Sequence, residues 1–156
     1  MKKLILLLLV LSMTLSLTAC GGGKSSDDFT TDLAAFYEGL VTDDFPMMMA
    51  LDEDMIEGFY PGLSEIKRTQ TVLYMPAISA TACEIAMVEV ANSADVDAVK
   101  DIFQARIDTQ IDGGAWYPAT IEQWQNNAQI VVRGNCVCLF VVPAELGSPA
   151  DAFNSL

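Results

Sequence analysis

Two apolar runs, residues 128–133 and 136–142, meet at Gly134-Asn135, and they restrict the possible folds more than any other stretch. A Gly-Asn pair between two such runs is a two-residue hairpin signal. A turn of that length sets the register. Arg133 falls opposite Cys136, Val131 opposite Cys138, and Gln129 opposite Phe140. Those six residues share one face. Ala128, Ile130, Val132, Val137, Leu139 and Val141 make the other, which is wholly apolar and reads as the main core face.

A second strand candidate spans 82–91, with Ile85, Met87, Val88 and Val90 as its apolar residues. Side chains alternate along a strand, so Glu84 and Glu89 point to opposite faces. Glu84 shares its face with Ala86, Val88 and Val90, which makes it the odd residue there. Directly after this strand, Asn92 or Ser93 caps a long amphipathic helix that ends at Gly113-Gly114. Arg106 and Gln110 stand one turn apart on the margin of its buried stripe. From there they can hold the helix to a sheet carboxylate such as Glu84, and a structural pairing is the preferred reading. Tyr117-Pro118 opens a short helix over 119–125 that carries Trp124.

The pattern upstream is mixed. Thr30-Thr31-Asp32 reads as a helix start with a capping hydroxyl. Leu33, Phe36, Tyr37, Leu40 and Val41 then form one apolar stripe. A weaker helical stretch covers 47–59. Its Met47-Met48-Met49 run points three ways on a helix and makes no soft-metal site. Its Asp52-Glu53-Asp54 and Glu57 lack the alternating acids and central glycine of a calcium loop. Thr71 to Met75 is β-prone and stops at Pro76. A last short helix is placed over 150–156.

These elements imply an α+β domain: an antiparallel sheet of about four strands, with helices packed mainly on one face. The helices over 93–112 and 31–41 are placed together on that face. The longer one crosses over between the second and third strands.

The N-terminus supplies the address. Met1-Lys2-Lys3 is a short positive segment, and residues 4–17 are continuously apolar, too few to span a bilayer comfortably. Leu17-Thr18-Ala19-Cys20 follows, and resembles a bacterial lipobox. The expectation is a signal peptide over 1–19, lipidation (diacylglyceryl, palmitate) on Cys20, and a flexible Gly-Ser-Asp tether over 20–28. A single domain then occupies 29–156. Its location is the outer face of the cytoplasmic membrane, where the lipid holds it.

With Lys2 and Lys3 removed, six basic residues remain against all 21 acidic ones. That surface repels nucleic acid and anionic headgroups. The chain has no histidine, which removes the commonest general base and every His-containing zinc site. No cofactor is implied. Cys83, Cys136 and Cys138 read first as buried free thiols. A disulfide from Cys83 to Cys136 or Cys138 is the second reading, and a redox or metal role for Cys-Val-Cys a weaker one.

The run Ala82 to Val90, the helix through Arg106 and Gln110, Tyr117-Pro118, and Gly134-Asn135-Cys136-Val137 together resemble an uncharacterised domain-of-unknown-function family of Gram-positive lipoproteins. The resemblance covers about residues 32–142. Relatives in that family often carry an aromatic residue after the Gly-Asn turn, where Cys136 stands here. It implies a lipoprotein with one domain, and brings no activity or catalytic residues.

Three functions are consistent with the sequence. The leading one is a tethered, non-enzymatic binding or assembly module for an extracytoplasmic protein or wall component. The second is an enzyme acting on wall or peptide material, with Glu84 or the Asp52–Glu57 group as acid and base. The third is small-ligand capture.

Overall fold

The computed structural model describes residues 29–156. The expected signal peptide, lipidation site at Cys20 and tether lie outside the described residues. Helix α1 is Leu33–Leu40, strand β1 Met48–Ala50, helix α2 Glu53–Phe59, strand β2 Arg68–Pro76 and strand β3 Glu84–Val90. Helix α3 is Val96–Thr109, α4 Pro118–Asn127, β4 Ala128–Arg133, β5 Cys136–Val141, and α5 Pro149–Asn154. Among the described residues these are five strands and five α-helices in a mixed α and β architecture.

All strand pairs are antiparallel, in the order β1-β2-β3-β5-β4. The hairpin has the register that its two-residue turn dictates, with Arg133 opposite Cys136, Val131 opposite Cys138 and Gln129 opposite Phe140. Gly134 takes φ +55°, a left-handed conformation suited to glycine. β5 inserts between β3 and β4, so β3 and β4 run parallel with one strand between them. The α3–α4 segment makes that crossover.

The sheet has five strands rather than about four. The extra one is β1, which lies inside the stretch expected to be helical over 47–59. Met48 pairs with Pro76, Met49 with Met75 and Ala50 with Tyr74. The free edge of β2 offers backbone partners, and this outweighs the modest helical preference of methionine. Helix α2 therefore starts only at Glu53, where the Asp52 carboxylate accepts the Met55 amide at 2.9 Å. At α1 the cap is likewise Asp32, accepting the Ala35 amide at 3.0 Å, and not a threonine hydroxyl.

Both sheet faces are core. On one, Ala86, Val88, Val137, Leu139 and Val141 pack with Val99, Phe103 and Ile107 of α3, Ile56 of α2 and Trp124 of α4. On the other, Ile85, Met87, Cys136, Cys138 and Phe140 pack with Leu33 and Tyr37 of α1 and Phe153 of α5. The placement of α1 beside the long helix is thus corrected: they cover opposite faces. The face bearing both hairpin cysteines is as fully buried as its counterpart. Gln129 and Arg133 make it look half-polar in sequence, but Gln129 is exposed at the edge strand. Arg133 turns its guanidinium to the Phe153 carbonyl at 3.0 Å and stacks over Phe29 at 3.9 Å.

Cys83, Cys136 and Cys138 are free and fully buried. Cys138 lies opposite Met87, four residues along the strand from Cys83. At about 3.3 Å per residue that is ~13 Å, well beyond the ~7 Å limit for a bridge. Cys136 is further still, so the alternative of a Cys83 disulfide is corrected in favour of buried thiols.

Candidate functional site

Glu84 begins β3, on the face that receives α3, and is only 2 % exposed. A carboxylate this deep requires partners. Arg106, two helical turns beyond Val99 on the buried side of α3, supplies two of its hydrogen bonds. Its Nε donates to Oε1 at 2.9 Å and its Nη2 to Oε2 at 2.7 Å. This is the bidentate fork that guanidinium and carboxylate planes favour. The Tyr60 hydroxyl donates a third bond to Oε1, at 2.5 Å.

The electrostatics follow from burial. Desolvation and the neighbouring Glu84 charge push the Tyr60 phenol well above its ordinary range, so it stays a donor. For Arg106 burial opposes the charge, but the bonds to Glu84 outweigh it and raise the guanidinium above its usual value. Arg106 also lies over the rings of Phe59 and Trp124, each at 5.4 Å, and of Tyr60 at 5.9 Å.

Above this pair opens a cavity of about 440 Å³. Phe59, Trp124 and Met75 form its apolar wall, and Glu84 and Arg106 lie at its polar end. Two loops frame the mouth. One is the β2–β3 connection, with Ser79, Thr81 and the 68 % exposed Ile78. The other joins α3 to α4 and carries Trp116, 86 % exposed, and Tyr117, 52 % exposed.

The second loop is shaped by its glycines. Past the end of α3 the chain turns over Gln110–Gly114, closed by the Ala115 amide donating to the Gln110 carbonyl at 3.1 Å. Gly113 takes φ +123°, outside the range of ordinary residues. A Cβ on Gly114 would stand 2.7 Å from the Thr109 carbonyl oxygen and 2.8 Å from Gln110 Nε2. Only glycine permits this return of the chain, which carries Trp116 and Tyr117 to the cavity mouth.

The pairing of Arg106 with Glu84 expected from the sequence is present. Gln110 does not join it: among the described residues its amide makes no side-chain hydrogen bond, and it lines the cavity instead. Tyr117 sits at the mouth. The Asp52–Glu57 group lies elsewhere and has structural work. Asp52 caps α2, Glu53 pairs with Arg68 at 2.9 Å, and Glu57 accepts the Gly62 amide at 3.1 Å. Among the described residues no three metal-ligating side chains cluster. Sequence reasoning did not identify Tyr60, Phe59, Ser79 or Thr81. Tyr60 lies in a Gly-Pro-Gly break, and that break between helices was its only signal.

The chain belongs to the family described as domain of unknown function DUF4358, whose model matches residues 42–142. The match takes in the whole sheet, α2 to α4, and each residue of the cavity. It leaves out α1 and α5. Comparison with curated proteins and with solved structures finds no match.

Proposed function

We propose that this chain is a lipid-anchored extracytoplasmic binding module, of the Gram-positive lipoprotein kind, whose ligand site is the cavity between Glu84 and Trp116. One observation carries the reading. Among the described residues Glu84 is the only carboxylate lining the cavity, and three hydrogen bonds from Arg106 and Tyr60 already occupy it. The catalytic alternative needs two carboxylates converging on a substrate, one of them free to exchange a proton. Binding needs only a shaped, partly apolar concavity with a few polar groups, and 440 Å³ is within the usual range for such sites. The cavity also favours capture of a small ligand or of one residue of a larger one over assembly through a flat face.

A photo-crosslinking amino acid at position 116, on intact cells, should give a reproducible adduct. The same group at Glu38, an exposed position on α1 across the sheet, should not. Equal yields at both sites, or none at 116, would overturn the binding site. The anchor has its own readout. An alkynyl fatty acid fed to cells should label the wild-type chain and not a Cys20→Ser variant; labelling of both would sink lipidation at Cys20.

A further inference from the structure

We infer that the cavity takes an uncharged sugar residue of a glycan; this rests on the cavity being the binding site. Charge eliminates the other classes first. A cationic ligand would need a free counter-charge or an enclosed aromatic face, but Glu84, the one carboxylate among the described lining residues, is already bonded to Arg106, and that guanidinium lies over Phe59 and Trp124 at 5.4 Å. An anionic ligand would meet Arg106 already neutralised by Glu84 at 2.7 Å, inside a chain of net charge −13. A neutral ligand remains.

The unused polar groups say what kind of neutral ligand. Arg106 spends Nε and Nη2 on Glu84, which leaves Nη1 without a bond inside the protein. Among the described residues the only fully buried side-chain nitrogen or oxygen lacking a partner is Arg68 Nη1, so Arg106 Nη1 is not wholly enclosed. The same holds for the Gln110 amide. The hydroxyls of Ser79 and Thr81, on the opposite loop, also make no side-chain hydrogen bond, and all four groups border one cavity. An apolar peptide side chain would leave these donors and acceptors desolvated and unpaired.

A pyranose ring meets both demands. Its hydroxyl or acetamido groups offer donors and acceptors around the rim. Its C–H faces are apolar and suit the electron-rich face of an aromatic ring such as Trp116. An 86 % exposed tryptophan beside a cavity of mixed polar and apolar lining is an open stacking surface. The acidic surface disfavours its insertion into an anionic membrane.

The test is a titration of the full chain, in a detergent without a sugar headgroup, against neutral trisaccharides: triacetylchitotriose, cellotriose, maltotriose and mannotriose. Tryptophan emission and calorimetry report binding. At least one sugar should saturate at millimolar concentration or below. Trp116→Ala should weaken it about tenfold, and Gln110→Ala by a few-fold, with thermal midpoints unchanged because both side chains reach solvent. N-acetyl-tryptophanamide is the counter-probe. If it saturates the site and no sugar does, the ligand class is wrong and the cavity stands as a binding site. If neither binds and the position-116 adduct is also absent, both readings fail. Sugar binding that survives Trp116→Ala unchanged overturns the placement in this cavity.

Discussion

Replacing Glu84 with alanine should lower the unfolding free energy by about 3–5 kcal/mol, a large part of the 5–15 kcal/mol typical of a domain. The substitution leaves the Arg106 guanidinium, with a side chain only 10 % exposed, among Phe59, Tyr60 and Trp124 and without a counter-charge. It also strips the buried Tyr60 hydroxyl of its acceptor. The cost comes from uncompensated burial and not from the attraction alone, and a second variant separates the two. The double substitution Glu84→Leu with Arg106→Met removes both charges and keeps the volume filled. It should be clearly more stable than Glu84→Ala, because a buried ion pair is often matched by an apolar pair of similar size. Urea unfolding followed by tryptophan emission measures both. A double variant as unstable as the single one would show that the carboxylate acts by some means other than balancing Arg106. Tyr60→Phe should cost less, since it removes only a hydroxyl from a carboxylate that keeps both guanidinium bonds.

This pair was legible because two local patterns each contained an anomaly. Glu84 broke an apolar strand face, and Arg106 sat on the margin of a helical stripe. The helix follows the strand after a tight Asn92-capped turn, so the two anomalies had to meet. The hairpin register was legible for a similar reason: a two-residue turn leaves no slack. What escaped depends on non-local pairing. A three-residue strand such as Met48–Ala50 has no period to detect, and it exists because β2 has an edge to offer. Tyr60 reaches Glu84 across 24 residues from a segment with no regular pattern. The cavity is assembled from Phe59, the β2–β3 loop and the α3–α4 loop, which only the crossover brings together. The second core face was underestimated because Gln129 and Arg133 stand on it in sequence; Cys136 and Cys138, read first as buried free thiols, are packing there.

Those thiols should make the fold sensitive to alkali. Burial pushes Cys83 and Cys136 up from an ordinary value of 9.0 to about 11, with the Glu89 charge adding to the shift at Cys136. Burial, with Cys136 beside it, drives Cys138 higher still. The sign follows from linkage. A thiol whose value is raised by folding holds its proton in the native state at a pH where the unfolded chain has released it. The stability it contributes is complete below about pH 9 and drains away as pH climbs from there through 11. The three thiols act in the same direction, so their losses add across that window. The buried Tyr37, raised to about 12 chiefly by burial, acts in the same direction at the upper end. Thermal midpoints recorded from pH 7 to pH 11 should therefore be flat at first and then fall steeply. The triple variant Cys83→Ala, Cys136→Ala, Cys138→Ala starts lower, because each change thins the core. Its decline above pH 9 should be distinctly shallower, since the contribution of the raised tyrosines remains and that of the thiols does not. Parallel curves for the two proteins would mean that the thiols ionise in the native state as easily as in the unfolded chain. That outcome would place all three in contact with water, against the packing of Cys136 and Cys138 beneath Phe153 and α1.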